Sequence, residues 1–479
     1  MADLQIRQNG RCAVFAFTPP APLYQLLDAA GFPGRRPCGG RGTCGKCAVT
    51  LSGQVSAPNA AETAAGTRLA CQAQIWGAAE VFLPNTAEEQ IETSTAAVPM
   101  GTPMEGAVGA AIDIGSTTVV ARRYDLSTGA VLGQAAMVNP QTSVAADVMG
   151  RIDAAMHGDL SKLQTQITDA LQTLLRQAGG TADSMVITGN TTMLYLLTGR
   201  NPEELSHAPF TADTLFDTTY NGAYLPPCMN AFVGADISCA VLASGMCEAS
   251  DTALLCDIGT NGEIALWKNR RLYVTSTAAG PAFEGAGISC GCSSIAGAID
   301  RVEATDGQLC VHTIGDAPAV GLCGSGLIDA IAALLQLEQL DETGALDDDS
   351  AVLAPGVSLL QKDIRAVQLA KAAIAAGIAT LLEISGTDEQ EINTLYLAGG
   401  FGSHMNAESA AAIGLIPKKL LTRVRVLGNA ALAGASMLLL DRQKLETIRQ
   451  IAANSVHLNL GGNPSFNEHY MEEMLFPTN

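Results

Sequence analysis

The chain has 479 residues, 48% hydrophobic, 4% aromatic and 15% charged, which excludes a disordered protein and allows two or three domains. No stretch of about 18 residues is free of charged and polar side chains, and the opening MADLQIRQNG has neither a basic region nor an apolar core. Neither a membrane span nor a secretion signal is expected, and a cytoplasmic location is. The net charge of −20 is uneven: residues 1–84 carry seven Lys and Arg against four Asp and Glu, or +3, and the rest carries −23. That asymmetry predicts two units with different partners and argues against nucleic acid binding.

The first unit reads as small and strand-rich. LQIR and CAVFAF are two strands with a turn at QNGR, and PLYQLLDAAG is a helix with proline at its start and Gly31 at its end. A cysteine-rich loop follows, then the strand CAVTL, and LACQAQI and AEVFLP complete the unit near Pro84. Residues 85–106 have few large apolar side chains and no periodicity, which predicts a flexible linker.

From Ala107 the pattern changes. VGAAIDIG is a buried strand ending in Asp and Gly, with TTVVARRYDL and VLGQAAMV as its hairpin neighbours. Helical periodicity covers 143–156 and 160–178, and SMVITGNTTMLYLL is strand, turn, helix. The pattern then restarts: TALLCDIGTNGEIALW is again a strand into Asp-x-Gly-Thr, with helices over 326–337 and 363–384. TLYLAGGFG runs from strand into glycine turn, and NAALAGASMLLL is helical. The second unit is thus expected to be an approximate duplication, with lobes over 107–250 and 251–440 and C-terminal helices over 441–479.

Thirteen cysteines, an odd number, make a disulfide framework a poor reading. Cys12, Cys228, Cys239, Cys247, Cys256, Cys310 and Cys323 are expected to be small buried side chains. Cys38, Cys44 and Cys47 form C-x5-C-x2-C, with Cys71 24 residues later. Zinc sites favour paired C-x2–4-C motifs, whereas three clustered thiolates and a distant fourth are how a plant-type 2Fe–2S cluster is held. The loop's glycines let backbone N–H groups approach the inorganic sulfides. A zinc or bare-thiol loop is the alternative. Arg35, Arg36, Arg41 and Lys46 surround the loop; they would raise the cluster's potential, offer a docking surface, or simply be solvated.

DIGSTT (Asp113 to Thr118) and DIGTNGE (Asp257 to Glu263) lie about 145 residues apart, each after an apolar strand, and AGGFG follows later. Glycine turns present N–H groups to phosphate oxygens, and the Ser and Thr hydroxyls add donors. Asp113 and Asp257, facing each other across a cleft, would hold a hydrated Mg²⁺, and Gly399 and Gly400 would admit a planar adenine. The strand-to-helix turn TGNTTM and the glycine pair of GLCGSG (Gly324, Ser325, Gly326) either bind an anion or merely cap a helix.

The arrangement resembles the acetate and sugar kinase, Hsp70 and actin (ASKHA) superfamily, a two-lobed α/β fold built on duplicated RNase H-like units. The resemblance implies ATP binding by a first loop of Asp113, Gly115, Ser116, Thr117 and Thr118. It implies a second loop of Asp257, Gly259, Thr260, Asn261 and Gly262, and an adenosine turn of Gly399, Gly400 and Gly402. FVGADISCAVLASG resembles the block that carries a catalytic carboxylate in the superfamily's kinases, which makes Asp236 the candidate for orienting water; otherwise it is a helix N-cap. The cysteine spacing resembles the adrenodoxin-like variant of the 2Fe–2S ferredoxins, which implies an α+β β-grasp domain.

The combination resembles the reductive activators of corrinoid proteins, including the activating enzymes of corrinoid-dependent O-demethylases. The likeness spans the cysteine pattern, NPQTSVAADVMGRI, GNTTM, DIGTNGEIAL, GLCGSGLIDA, LAGGFG and GNAALAGA. It implies ATP-dependent passage of one electron from the cluster to a Co(II) corrinoid protein, giving Co(I), with a low-potential electron donor upstream. Larger members carry a further domain, linked to dimerisation, between ferredoxin and ATPase; only the linker stands there in this chain, so monomer and homodimer both stay open. Other readings are an activator of the 2-hydroxyacyl-CoA dehydratase type, with Cys290 and Cys292 as cluster ligands, a nucleotide-dependent redox sensor without turnover, and a small-molecule kinase with an appended ferredoxin.

Overall fold

Alternating apolar residues build the N-terminal sheet. In the strand Ala2–Gln8, Leu4 and Ile6 point inward and are fully buried, while Asp3, Gln5 and Arg7 face out. The computed structural model describes residues 1–478 apart from 9–10, 33, 35–39, 43–45, 85–92, 94 and 96. Ala2–Gln8 pairs antiparallel with Arg11–Phe17 and parallel with Gln74–Phe82, which pairs antiparallel with Ala48–Val55. The helix Leu23–Ala29 lays Leu23, Leu26 and Leu27 across this sheet, as a β-grasp requires. A short helix, Ala60–Ala65, escapes sequence reading: six residues with no apolar stripe, held by a capping box between Asn59 and Glu62.

Two further six-stranded sheets follow, with matching inner strands. In the first, Val108–Ile114 pairs parallel with Ser184–Gly189 and antiparallel with Thr118–Asp125, which pairs with Val131–Val138. In the second, Thr252–Ile258 pairs parallel with Ile392–Ala398 and antiparallel with Gly262–Lys268, which pairs with Arg271–Thr277. DIGST and DIGTN therefore occupy the same hairpin turn in two copies of one unit.

The lobes share a core. Helix Ala430–Leu440 packs on helix Ala235–Ser244 of the first lobe, and Gly434 permits the approach: a Cβ there would lie 2.1 Å from the Cys239 carbonyl oxygen. Tyr124 Oη donates to Ser436 Oγ at 3.0 Å. Residues 430–440, at the end of the expected second lobe, thus pack on the first. The strand Ser455–His457 joins the second sheet beside Arg271–Thr277, so the tail is more than terminal helices. Among the described residues one helix, Gln361–Ser385, is long and apolar enough to cross a membrane, and 72% of its apolar window is buried in the second lobe's own core.

The expectation of a flexible linker over 85–106 is corrected in its second half; residues 85–92, 94 and 96 lie outside the described residues. Thr95 bridges Gly428, and Arg122 donates to Thr93 and Thr95. Gly101 N and Met104 N donate to the carbonyls of Leu440 and Leu439, at 3.1 and 2.9 Å. Val98 and Met104 pack on the interlobe core. Backbone bonds and two apolar anchors hold this stretch where the polar composition predicted freedom.

Cys228, Cys239, Cys256 and Cys323 are buried as expected, but Cys12 and Cys310 are exposed and Cys247 is half-buried. Cys12 sits opposite Arg7 on the outward face of the first sheet, and Cys310 on the hairpin formed with Ala298–Thr305.

Candidate functional site: cluster loop and nucleotide cleft

Cys47 and Cys71 bring their sulfurs to 3.3 Å without a disulfide, a spacing that suits two ligands of one iron. Cys38 and Cys44 lie outside the described residues, as do Arg35 and Arg36. Gln72, which sequence reading missed, ties the loop together: its Nε2 donates to the Gly40 carbonyl at 2.6 Å and lies 3.6 Å from Cys71 Sγ. Gly40 and Gly42 adopt φ of +81° and +76°, where only glycine is unstrained. Lys46 is not simply solvated: its Nζ donates to the Gly291 carbonyl of the second lobe at 2.6 Å.

Between the lobes lies a cleft of about 380 Å³, reached by both hairpin turns. The first turn is held from behind. Asn139 Nδ2 donates to Gly115 O at 2.8 Å, the Arg151 guanidinium to Ser116 O, and Asn139 N to Thr117 O at 2.8 Å. In a trans peptide the N–H opposes the C=O, so pinning these three carbonyls inward turns the N–H groups of Ser116, Thr117 and Thr118 outward. Asn139 and Arg151 are fully buried. Gly115 N and Gly259 N close their own turns, on Thr118 O at 2.9 Å and Asn261 O at 3.0 Å, so these glycines serve turn geometry rather than donating to a ligand.

Four carboxyls converge here. Burial pushes Asp113 up to about 6 although Asn429 Nδ2 donates to its Oδ2 at 2.9 Å. Burial and then the Asp113 charge push Asp257 up to about 7. Burial, then Asp257 and Asp113, push Asp236 up to about 8. Glu263 rises well above the usual carboxylate range for the same reasons, with Asp236 its foremost neighbour. Among the described residues no three His, Cys, Asp or Glu side chains close around a point as bare metal ligands. The donor set instead fits an ion that keeps most of its water and uses two carboxylates. Asp236 lies in the first turn of helix Ala235–Ser244, but Gly234 is the N-cap, so the capping alternative for Asp236 is corrected.

The cleft takes in Asp113, Gly115, Ser116, Thr117, Thr118, Asp236, Asp257, Gly259, Thr260, Asn261, Gly324, Ser325, Gly399 and Gly400. Gly262 and Gly402 do not line it. A Cβ on Gly262 would meet Ile374 at 2.8 Å, and Gly402 is buried against Leu397. Gly399 has φ of +85°, and a Cβ would sit 2.4 Å from Asp257 Oδ1. Ser325 Oγ is spent on the Asp300 carbonyl at 3.0 Å. Asn190 both caps its helix, at 2.9 Å to Met193 N, and donates to Ser116 Oγ at 3.0 Å. Glu263, Glu284, Phe283, Phe401 and Asn429 also line the cleft and were missed.

Three family models match successive parts of the chain: a 2Fe-2S iron-sulfur cluster binding domain over 6–75, the RACo middle region over 108–249, and the C-terminal domain of RACo, the ASKHA domain, over 251–479. Corrinoid activation enzyme RamQ of Eubacterium limosum is 34% identical over 420 residues, covering 78% of this chain and 70% of that protein. The chain belongs to the corrinoid activation enzyme family. A Methanosarcina barkeri relative, the [Co(II) methylated amine-specific corrinoid protein] reductase, is 26% identical over 421 residues, covering 77% of each chain. A solved structure, the reductive activator for corrinoid, iron-sulfur protein, superposes with a TM-score of 0.69 at 26% identity, covering 100% of this chain and 98% of that one.

As a member of this family the chain pairs a 2Fe–2S domain with an ASKHA ATPase fold. The 2-hydroxyacyl-CoA dehydratase reading required Cys290 and Cys292 as ligands. Burial pushes the Cys290 thiol up and that of Cys292 to about 12, and Cys292 Sγ packs on Gly321, as a structural thiol does. Asn429 orients Asp113 from the N-cap of the shared helix Ala430–Leu440. Asn429→Ala is expected to weaken Mg²⁺–ATP binding about tenfold or more, measured by calorimetry, because it releases the Asp113 carboxylate from its supporting hydrogen bond. Unchanged affinity would remove Asn429 from the site.

Proposed function

We propose that this chain couples ATP hydrolysis to the transfer of one electron from its 2Fe–2S centre to a corrinoid protein in the Co(II) state, leaving Co(I). The observation that carries this reading is that one polypeptide holds both a thiol pair suited to iron and a cleft where four carboxyls converge between phosphate-type turns. The cluster supplies a one-electron carrier; plant-type centres lie near about −400 mV, and the step to Co(I) is harder still. A shift of about 59 mV changes a one-electron equilibrium tenfold, so a few kcal/mol of nucleotide-dependent binding suffices.

In this reading Asp113 and Asp257 hold a hydrated Mg²⁺ against the phosphates. The outward N–H groups of Ser116 to Thr118, and the turn Gly259 to Asn261, receive phosphate oxygens, while Gly399 and Gly400 take the adenosine. Asp236, whose charge is suppressed by its neighbours, is left ionised once a cation joins the cleft, and then orients the attacking water and accepts its proton.

Residues 1–84 form the cluster domain, 85–106 the connection and 107–479 the ATPase. None of the described cysteines is in a disulfide, which supports a reducing, cytoplasmic setting. Anaerobic mixing of the holoprotein with a Co(II) corrinoid protein, a low-potential reductant and ATP is expected to give the Co(I) absorption band together with ADP, from a protein holding two irons per chain. Phosphate release without Co(I), or an iron-free protein, would overturn the assignment.

A further inference from the structure

Glu284 stands across the cleft. Its Oε2 accepts from Thr117 Oγ1 at 2.8 Å and its Oε1 from Thr260 Oγ1 at 2.5 Å, so one carboxylate takes a hydroxyl from each turn. Those hydroxyls are the donors an incoming phosphate needs, and a carboxylate beside a polyphosphate is repelled by it. A nucleotide seated on both turns therefore displaces Glu284 or binds weakly.

Glu284 is not isolated from the cluster domain. The next residue, Gly285, lies so close to Cys292 that a Cβ would be 2.7 Å from its carbonyl oxygen, and Gly291 is packed as tightly on the Gly285 carbonyl. Asp363 clamps the intervening Ser289 through N at 2.8 Å and Oγ at 3.0 Å. The far side of this packed loop is the Gly291 carbonyl that accepts Lys46, the residue preceding Cys47. Phosphate turns, Glu284, the 285–292 loop and the cluster loop form one continuous chain of contacts.

We propose that Glu284 is a positioning residue that couples the nucleotide to the seating of the cluster domain: displacing its carboxylate shifts the 285–292 loop and loosens the Lys46 contact. The proposal rests on the ATP reading above. ATP then frees the cluster domain from the second lobe, which lets one carrier face its donor when docked and the corrinoid protein when released.

Linkage supplies the test, because coupling in binding is reciprocal. If the nucleotide loosens the Lys46 contact, removing that contact tightens the nucleotide. In the cluster-loaded full chain, Lys46→Ala is expected to tighten a non-hydrolysable ATP analogue with Mg²⁺ about fivefold or more. Simple loss of a cation would weaken an anion, so the sign is diagnostic. The effect should vanish in the Glu284→Gln background, whose amide keeps the shape and loses one acceptor. Visible absorbance and circular dichroism check that each variant is folded and loaded. Unchanged or weaker binding in Lys46→Ala, or tightening that persists in the double variant, would overturn the coupling. Absence of analogue binding by the unaltered chain would instead remove the ATP reading beneath it.

Discussion

Cys47→Ala is expected to yield a protein without the visible absorbance of a 2Fe–2S centre that still binds ATP within about twofold of the unaltered chain. The first effect is large because a cluster needs four thiolates, and the Cys47 sulfur lies 3.3 Å from that of Cys71. The second effect is small because the ATP cleft is built from residues 113 to 431, and Lys46, whose contact reaches the second lobe, is retained. Cys47 is itself buried in the small domain's core, so a modest loss of that domain's stability accompanies the substitution. Cys71→Ser tests the same site from the half-buried ligand and should match it. Iron analysis, visible spectroscopy and calorimetry read the three quantities. Loss of ATP binding in both variants would show that the two units do not fold independently.

Asp113 and Asp257 were legible because each ends an apolar strand with Asp-x-Gly, where burial along the strand carries the carboxyl to the sheet's edge. The duplication was legible for the same reason, since the hydrophobic runs recur in order. Glu284 was not: its partner Thr117 lies 167 residues away, and one sequence holds no trace of that proximity. Glu263 stood inside the recognised DIGTNGE, yet a polar residue in a hairpin strand reads as solvent-facing until the strand proves covered on both sides. Every glycine in a motif looks like a ligand contact, yet Gly262 and Gly402 stand outside the lining of the cleft. Only the surroundings of the missing Cβ separate a glycine that admits a ligand from one that admits Ile374. The linker's anchoring was hidden because it rests on backbone donors at Gly101 and Met104, which every residue carries.

Asp236→Asn is expected to slow ATP hydrolysis by roughly 10²–10⁴-fold, the usual worth of a positioned acid–base group, while raising the thermal stability of the metal-free protein above neutral pH. Both effects come from one cause. Asp236 is half-buried beside Asp257, Asp113 and Glu263, and loss of solvent followed by the Asp257 and Asp113 charges pushes it up to about 8. The folded protein thus retains protons that the unfolded chain, near the ordinary 3.8, has released. Folded-state pKa values above unfolded ones for acids mean that stability is greatest at low pH in this respect and falls as pH rises from about 4 through 6, 7 and 8, as Asp113, Asp257 and Asp236 in turn must ionise. An amide in place of the Asp236 carboxyl removes the largest of these three penalties and lowers the other two. The melting temperature of Asp236→Asn should therefore exceed that of the unaltered chain by a margin that widens from pH 6 to pH 8.5 and narrows when Mg²⁺ and nucleotide are added, because the cation relieves the same repulsion. A variant that loses activity but melts lower than the unaltered chain at pH 8 would mean that Asp236 supports the fold rather than the reaction. Stability gained together with activity lost is the signature of a charge kept in an unfavourable place because the chemistry needs it there.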